Sequence, residues 1–362
     1  MNHYKTGLVV GKFAPLHLGH ETLIRYAQQH CDRLLLLSWS HPEIEGYEAE
    51  QRERWLHRRF PEIETLVMTP EWVANWKSKG YEIPLLPENH QPDRDHHDFI
   101  AQLCLNYFDC VVDAVFTAED YGDGFALSLQ EIFSEKRGAH VPVIHERLDR
   151  FQDSPPISGT LIRSDIHTYR HLISSDIYAD FVTRICLLGG ESSGKSALTA
   201  ALAKHYSTQY VAEYGRELWE LQGGNLTYDD LLLIGKEQVK REENACSSAT
   251  RYLFCDTSPL TTYLYSHWMF NQADPELLEL STRPYGLILL CAPDFPFDQD
   301  GTRIGEHFRQ QQHLAYQQIL QQRKIPYSLL TGTVEQRIKQ VDALLSTLVN
   351  SPKEALGELK RK

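Results

Sequence analysis

Short apolar runs alternate with longer stretches of helical spacing along most of the chain. Apolar runs occur in TGLVVGKFAP, DRLLLLSWS, DAVFTAED, TRICLLGG, RYLFCDTS and YGLILLCAPD, and stretches such as ETLIRYAQQH and YEAEQRERWLHRRF separate them. Short continuous apolar runs are typical of strands that are buried on both faces. The alternation therefore predicts an α/β fold, with mainly parallel sheets covered by helices.

The pattern also predicts two domains. TGLVVGKFAP and RICLLGGESS each place an apolar run before a glycine-containing turn and a helical stretch, which is how a nucleotide-binding α/β domain begins. We expect one domain over residues 1–182 and a second over 183–350. The segment 164–181 has helical spacing and no glycine and is predicted to close the first domain. The charged end, 351–362, is predicted to be a frayed tail.

Composition narrows the partners and the compartment. A length of 362 residues suits two domains, and the net charge of −13 argues against general binding to nucleic acid or to an acidic membrane surface. The seven cysteines are dispersed without a CxxC pair, which favours reduced thiols in the cytoplasm. No apolar run reaches the roughly 20 residues that span a bilayer. We predict a cytoplasmic protein without nucleic-acid or membrane partners, and the oligomeric state, a homo-oligomer included, stays open.

The sharpest motif is GGESSGKS, which matches the phosphate-binding loop G-x-x-x-x-G-K-[ST] at every defined position. Its glycines let backbone N–H groups surround a triphosphate, Lys195 neutralises the β- and γ-phosphates, and the Ser196 hydroxyl binds Mg²⁺. The alternative is a chance glycine-serine turn, but the apolar run before it and SALTAALAKHY after it argue against that. The predicted ATP-binding residues are Gly189, Gly190, Glu191, Ser192, Ser193, Gly194, Lys195 and Ser196.

Later strand ends supply the other kinase candidates. Asp256 ends RYLFCD, where an acid can hold the metal or orient an acceptor hydroxyl. Glu213 and Arg216 follow the preceding strand and are candidates for catalysis and acceptor binding, respectively. Arg303 lies in DQDGTR, which resembles a lid that closes over the transferred phosphate. A helix cap, a surface pair and a loop charge are the alternatives for these residues; the absence of an NKxD motif favours a kinase over a GTPase.

The first glycine turn carries GKFAPLHLGH, which resembles the (H/T)xGH signature of the nucleotidylyltransferase superfamily. His17 and His20 are three residues apart at a predicted helix start, so both can donate hydrogen bonds to triphosphate oxygens. Gly11 and Gly19 permit close approach of the chain, and Lys12 adds positive charge. A zinc site is the alternative, but no third ligand is evident nearby in the sequence.

A second superfamily element, usually S-x-T-x-x-R, appears here as ISGTLIR. Ser158 and Thr160 are predicted at a helix N-terminus, and Arg163 follows one turn later. Together they form a candidate anion site for the triphosphate. An ordinary capped helix with a surface arginine is the alternative, and the HxGH sequence about 140 residues earlier weighs against it.

The two halves together resemble the NadR-like family, in which a nicotinamide-nucleotide adenylyltransferase is fused to a ribosylnicotinamide kinase. The resemblance spans roughly residues 5–345 and rests on GKFAPLHLGH, FTAEDYGDGFA, ISGTLIR, GGESSGKS, VAEYGRE, CDTSPLTT and DGTR. It implies phosphorylation of nicotinamide riboside to NMN, and adenylylation of NMN to NAD⁺ and pyrophosphate, with ATP as co-substrate and Mg²⁺ in both reactions. It also implies that Phe13 lies in the nucleotide site and that Glu119 and Asp120 bind ribose hydroxyls or the amide.

The chain departs from the family in two respects. Some relatives carry an N-terminal helix-turn-helix repressor segment, whereas the first strand here is predicted within about seven residues of Met1, so we expect no repressor role. Phe297 stands where a tryptophan is expected, and we predict that Phe297 and Tyr327 form a wall for the nicotinamide ring of the kinase substrate. Trp72 and Trp76 are the candidates for the same contact in the first domain, and core packing is the alternative for all four.

Two other functions remain open from the sequence. One unit could have lost its activity and serve as a nucleotide sensor for its neighbour, although Lys195, His17 and His20 are all retained. Alternatively, the first unit could transfer a nucleotide to another phosphorylated acceptor, such as a pantetheine or polyol phosphate. A fused kinase makes this second alternative less attractive.

Overall fold

The computed structural model describes residues 2–119, 121–148, 157–299 and 303–350. For residues 348–350 it describes the backbone alone. The chain forms two compact units, Met1–Ile177 and Tyr178–Lys362. The division falls five residues before the boundary predicted at 182. The predicted frayed tail, 351–362, lies outside the described residues.

The first unit is built on a five-stranded parallel sheet in the order β3-β2-β1-β4-β5. Its strands are β1 (Tyr4–Val10), β2 (Cys31–Trp39), β3 (Glu64–Met68), β4 (Ala114–Thr117) and β5 (Ile144–Arg147). The central strand pairs on both sides, with Gly7 opposite Leu34 of β2 and Ala114 of β4. Leu34–Leu37 of β2 is buried throughout, because helices cover both faces of the sheet.

Helices follow the strands of the first unit as the alternation predicts. They are α1 (Leu18–Gln29), α2 (Ala49–Arg59), α3 (Pro70–Ser78), α4 (Asp93–Asn106), α5 (Gly122–Arg137) and α6 (Gly159–Ser164). The prediction of a helix-like closing segment over 164–181 is wrong in detail. The chain there makes two 3₁₀ turns and one short helix, α7 (Ser175–Tyr178), and the Asp165 side chain accepts backbone hydrogen bonds that end α6 in a turn.

The second unit has its own five-stranded parallel sheet, in the order β10-β9-β6-β8-β7. The strands are β6 (Thr183–Leu188), β7 (Tyr210–Val211), β8 (Tyr252–Asp256), β9 (Leu287–Cys291) and β10 (Ser328–Leu330). The helices are α8 (Lys195–His205), α9 (Tyr214–Leu221), α10 (Tyr228–Cys246), α11 (Pro259–Phe270), α12 (Pro275–Leu280), α13 (Glu306–Gln322) and α14 (Val334–Asn350).

Both sheets place their loops for chemistry at the carboxyl ends of the strands. In a doubly wound sheet, ligands bind outside those ends, where connections leave a central strand in opposite directions. The loops that follow β1 and β6, the central strands, are the two that carry the sequence motifs. The α/β class with two helix-covered parallel sheets is thus confirmed. No helix among the described residues is long and apolar enough to cross a membrane.

Candidate active sites

The loop after β1 is held from beneath by a buried arginine. Arg52 of α2 is fully buried, and its guanidinium donates to the Ser38 hydroxyl at 2.8 Å and to the Lys12 carbonyl at 3.3 Å. The Glu43 carboxylate pairs with the same guanidinium at 2.7 Å. A buried guanidinium is costly unless its charge is paired and its donors are satisfied, so these contacts fix the loop rather than simply fill space. This role could not be predicted from the sequence, because Arg52 is one of several charged residues in a polar helix.

The two histidines form a packed pair at the start of α1. His17 caps the helix, and its Nδ1 accepts the His20 backbone N–H at 3.3 Å. The two rings stack with centroids 3.6 Å apart, and the Phe13 ring meets His20 edge-on at 5.0 Å. A Cβ at Gly19 would lie 3.2 Å from the His17 ring, so glycine leaves room for this stack. The histidines thus project together from one helix start, as the spacing predicted.

The second motif brings an arginine to the same loop. Ser158 caps α6 through its hydroxyl. Arg163 donates to the Thr160 hydroxyl at 3.0 Å and to the Ala14 carbonyl at 2.5 Å. Burial lowers the pKa of Lys12, and the nearby positive charge of Arg163 lowers it further. Two cationic side chains from sequence segments about 150 residues apart therefore stand close enough to repel each other, as expected where an anion is to bind.

These residues surround one cavity of about 780 Å³. Of the predicted nucleotide-binding residues, ten line it: Gly11, Lys12, Phe13, His17, Gly19, His20, Glu119, Ser158, Thr160 and Arg163. Asp120 lies outside the described residues. The cavity also has lining residues that the sequence did not predict, among them Trp39, Asn89, Asp93, His96, His97 and Thr117.

Trp39 forms the aromatic part of the cavity wall. It ends β2 at the carboxyl edge of the sheet, and its ring stacks on His96 of α4 at 5.8 Å with an interplanar angle of 21°. Burial lowers the pKa of the neighbouring His97. The sequence held a usable signal for Trp39, since it follows the apolar run LLLLS directly and such a position falls at the edge where ligands bind.

The prediction that Trp72 and Trp76 line this site is wrong. Neither lies among the residues around the cavity. Their rings contact each other at 5.6 Å, and both meet Tyr107 edge-on, at 5.3 and 4.4 Å. Both belong to α3 and pack against the core of the unit, because that face of the helix turns toward the sheet. The core-packing alternative holds for this pair.

In the second unit, the loop after β6 has the geometry of a phosphate cradle. Gly189, Gly194 and also Ser192 adopt positive φ angles of 149°, 77° and 53°. The Lys195 ammonium donates to the Gly190 carbonyl at 3.1 Å, which folds the lysine back over the loop. A Cβ at Gly190 would lie 2.7 Å from the Arg309 carbonyl, so only glycine fits there. Successive backbone N–H groups that turn inward in this way bind anions.

Two buried arginines from later helices support this cradle. Arg309 of α13 donates to the Ser192 carbonyl at 3.2 Å, and Arg337 of α14 donates to the Ser193 carbonyl at 2.7 Å. Their side chains are about 4% and 0% exposed. Neither was predicted, because both are single arginines in polar helical stretches more than 100 residues after the loop.

Two acids converge on the cradle from neighbouring strand ends. Burial raises the pKa of Glu213; the positive charge of Lys195 opposes this shift and the negative charge of Asp256 adds to it. Asp256 is 3% exposed, and its Oδ1 is buried without a hydrogen-bond partner among the described residues. An unpaired buried carboxylate oxygen is costly unless a cation or donor arrives. Asp256 and the exposed Ser196 hydroxyl therefore suit Mg²⁺, which prefers oxygen ligands and shares its shell with substrate phosphates.

The structure places Arg303 at the cradle and leaves Arg216 exposed on α9. Arg303 donates to the Ser192 hydroxyl at 3.4 Å and pairs with Asp298 at 3.3 Å, so the predicted lid arginine is next to the loop. Residues 300–302 of the predicted lid lie outside the described residues. Arg216 is exposed on α9, and its charge acts on Glu213. Its role in acceptor binding stays a prediction.

The two aromatic residues predicted to form one wall for the kinase substrate, Phe297 and Tyr327, lie in different parts of the second unit. The Phe297 ring lies 5.5 Å from the Arg309 guanidinium, on the side of the phosphate cradle, and its contact with substrate stays a prediction. The prediction for Tyr327 is wrong. Tyr327 immediately precedes β10, so it lies at the amino ends of the parallel strands, where it packs against the cluster around Tyr316 and Leu320. The cradle lies at the opposite ends.

Fold and motifs together define an α/β protein of the nucleotide-binding class, with one candidate phosphate-binding loop in each unit. A family model described as an AAA domain matches residues 184–337. Over 82% of its length the chain is 26% identical to the trifunctional NAD biosynthesis/regulator protein NadR of Escherichia coli (strain K12), of which it covers 71%. It is 24% identical to the protein of the same name from Salmonella typhimurium, again with 71% of that protein covered.

Two solved structures of NadR protein share the whole fold. One, in complex with NR, aligns with a TM-score of 0.65 at 20% identity, over 92% of this chain and 90% of the other. The second, in complex with NAD and AMP-PNP, gives 0.64 at 20% identity, over 95% and 96%. The resemblance to the NadR-like family predicted from the sequence is confirmed, as are the features of a nucleotide-binding protein with a P-loop domain.

Proposed function

We propose that the chain carries out two consecutive reactions of NAD salvage. The second unit transfers the γ-phosphoryl group of ATP to a hydroxyl of nicotinamide riboside and releases ADP and NMN. The first unit joins NMN to the adenylyl group of a second ATP and releases pyrophosphate, forming NAD⁺. The observation that carries the proposal is the matched pair of phosphate loops: each follows the central strand of its sheet and each has cationic side chains aimed at it.

In the first unit, a phosphate oxygen of NMN attacks the α-phosphorus of ATP, and the bond to the β-phosphate oxygen breaks. The reaction needs no covalent intermediate with the protein. The side chains of the site align the two substrates and stabilise the charge that develops. His17 and His20 can donate to the oxygens of the phosphates that separate. Lys12 and Arg163 offset the charge that develops on the leaving pyrophosphate, and their mutual repulsion in the free protein is relieved when the anion binds.

The walls of the first cavity suggest where the acceptor ring lies. The Trp39 ring stacks on His96 and gives the cavity an aromatic surface. Trp39 lies outside the two motifs that carry the proposed phosphate-binding residues. A positively charged pyridinium ring gains from the face of a tryptophan. We place the nicotinamide ring of NMN against Trp39, in place of the predicted Trp72 and Trp76.

In the second unit, the cradle and Lys195 bind the β- and γ-phosphates, and Arg303 is positioned to cover the transferred group. Glu213 and Asp256 are the candidate bases for the acceptor hydroxyl. Burial raises the pKa of Glu213, as is common for carboxylates that act as general bases. Asp256 and Ser196 would hold Mg²⁺, which would offset the negative charge of the phosphates.

The comparisons support the substrates in this proposal. The curated relatives are named for NAD biosynthesis, and the solved NadR structures hold NR, NAD and an ATP analogue. An enzyme of this pair of activities needs two nucleotide sites, and the chain offers one candidate site in each unit. A sensor unit or a transferase for another phosphorylated acceptor would need only one site suited to nicotinamide ligands.

The test is a substrate panel on purified full-length protein. ADP release with nicotinamide riboside and ATP reports the second unit, and pyrophosphate release with NMN and ATP reports the first. We expect both products from the unsubstituted protein. Lys195→Ala should abolish ADP release and leave pyrophosphate release intact. Release of only one product supports the sensor alternative, and pyrophosphate release with pantetheine or polyol phosphate but not with NMN refutes the proposed acceptor.

A further inference from the structure

A histidine outside both motifs is built into the floor beneath the first cavity. His145 lies on β5 opposite Val115 of β4, and its side chain is 6% exposed. Its Nε2 is 2.8 Å from the hydroxyl of Thr117, which ends β4 and lines the cavity. On the other side, its Nδ1 is 2.8 Å from the carboxylate of Asp123 in α5.

The space around the imidazole is reserved for it. A Cβ built at Gly122, in the first turn of α5, would fall 2.0 Å from His145 Nε2. Only glycine at this position lets the ring lie between the helix and the strand end. The ring therefore joins α5 to β4 directly below the turn that leads to Glu119 and Tyr121, both of which line the cavity.

We infer that His145 is a positioning residue for the nucleotide cavity: it sets the turn 117–119 through the Thr117 hydroxyl. This turn has a short internal network. The Thr117 hydroxyl is 3.0 Å from the Glu119 carbonyl, and the Glu119 backbone N–H donates to the same hydroxyl at 3.3 Å. With His145, three partners surround one hydroxyl oxygen that has a single hydrogen.

Counting protons shows how His145 controls that network. A carboxylate only accepts, so Asp123 keeps a hydrogen on Nδ1. If the ring is neutral, Nε2 has a lone pair and takes the Thr117 hydrogen, so the Glu119 carbonyl loses the Thr117 contact and keeps the longer one from the Gly122 backbone N–H, at 3.4 Å. If the ring is an imidazolium, Nε2–H donates to Thr117, and the Thr117 hydrogen is free to bind the Glu119 carbonyl. Only the protonated ring satisfies all three contacts at once.

The charged groups around the ring are consistent with this. Asp123 faces it from α5, and Glu119 follows in the turn. On β5, the Glu146 carboxylate accepts a hydrogen bond from the Tyr4 hydroxyl. Arg147 follows His145 by two residues and therefore lies on the same face of the strand. Asp123 accepts the Nδ1 hydrogen, which leaves Nε2 as the ring nitrogen that faces Thr117.

The expected effect on the adenylyltransferase KM rests on the proposed function, whereas the structural role of His145 does not. Because the turn contributes lining residues and no phosphate-binding group, its disorder weakens nucleotide binding and leaves the chemical step intact. We expect Thr117→Val to raise the adenylyltransferase KM about three- to tenfold, the range for one lost hydrogen bond, with kcat nearly unchanged. Thr117→Ser, which keeps the hydroxyl, should behave as the unsubstituted protein.

Hydrogen exchange gives a readout that does not require activity. In the full-length protein, amide exchange in a peptide covering 116–119 should be faster in Thr117→Val and in His145→Ala than in the unsubstituted protein. His145→Gln, which keeps a donor toward Thr117, should exchange like the unsubstituted protein and should keep its adenylyltransferase KM.

The outcomes separate the two proposals. If the exchange pattern appears but NMN and ATP give no pyrophosphate, the positioning role stands and the proposed function fails. If pyrophosphate is formed but His145→Ala and Thr117→Val change neither exchange nor KM, the positioning role is wrong. An equal loss in Thr117→Ser and Thr117→Val would also overturn it, because packing rather than the hydroxyl would then be responsible.

Discussion

A buried carboxylate in the second unit should make that unit less stable as the pH rises. Glu242 of α10 is fully buried, and burial raises its pKa to about 7, against the opposing effects of Arg283, the Tyr285 hydroxyl and Arg184. In the unfolded chain the same group titrates near its ordinary value of 4.5. Between these two values the folded state holds a proton that the unfolded state has lost.

The sign and size of the effect follow from linkage. Because the folded pKa is the higher one, folding is favoured fully below pH 4.5, and this advantage is lost as the pH rises through about 7. The pKa difference, 7 − 4.5 = 2.5, corresponds to an upper limit of about 3.5 kcal/mol in the free energy of unfolding, at about 1.4 kcal/mol for each pKa unit. Most of that loss falls between pH 5 and pH 7.

The matched variants are Glu242→Gln and Glu243→Gln. Both acids contact the Arg283 guanidinium, at 3.5 and 3.1 Å, but the Glu243 side chain is 59% exposed whereas Glu242 is fully enclosed. Urea unfolding of the second unit can be followed by modification of the buried Cys255 and Cys291 with a thiol reagent that acts at both pH values. Each variant is compared with the unsubstituted protein at pH 5 and pH 8.

We expect the unsubstituted protein and Glu243→Gln to lose about 2–3 kcal/mol from pH 5 to pH 8 beyond any loss in Glu242→Gln. The difference between variants at each pH removes the contribution of other titrating groups. An equal pH dependence in all three proteins would refute the assignment and would mean that Glu242 is ionised, and paired with Arg283 and Arg184, throughout this range.

Three further predictions concern the two sites. His20→Ala should lower kcat for NAD⁺ formation by about 10²–10³, the scale for loss of one donor to a developing charge, while ADP release by the second unit stays near normal; a rate within threefold of the unsubstituted protein would contradict it. Asp256→Asn should abolish ADP release even in excess Mg²⁺, because the charge is lost while the shape is kept; full activity would transfer the metal-linked role to Glu213. Trp39→Ala should raise the KM for NMN without much change in kcat, whereas Trp76→Ala, on the core side of α3, should change stability and leave this KM in place, as titrations of pyrophosphate release against NMN would show.

The sequence was most informative where backbone geometry and chemistry demand the same residues. GGESSGKS needs its glycines for positive φ angles and its lysine for charge, so a single short string predicts both the loop and the ligand class. The HxGH and S-x-T-x-x-R elements are weaker alone, and their separation in the chain hides that Arg163 binds the Ala14 carbonyl. The alternation of apolar runs and helices predicted the sheets for the same reason: strands buried on both faces leave no polar positions.

Side chains that support the loops were beyond prediction. Arg52, Arg309 and Arg337 are buried, yet each stands in a polar helical stretch where arginine normally faces water. The aromatic residues failed differently. Each candidate ring could stack on a ligand, but whether it lies at the site depends on whether it follows or precedes a strand of the parallel sheet. Trp39 follows β2 and lines the cavity, whereas Tyr327 precedes β10 and lies at the opposite edge.

The two loops also share a form of strain, and the buried arginines explain how it is tolerated. Phe13 and Ser192 are non-glycine residues with positive φ angles of 48° and 53°, a conformation that costs on the order of 1 kcal/mol or more. Arg52 binds the carbonyl just before Phe13, and Arg309 binds the carbonyl of Ser192 itself. In both units, then, a buried guanidinium holds a strained loop in the shape that we propose binds a triphosphate. Such preorganisation removes a cost that binding would otherwise have to meet, since the loop N–H groups and cations already converge.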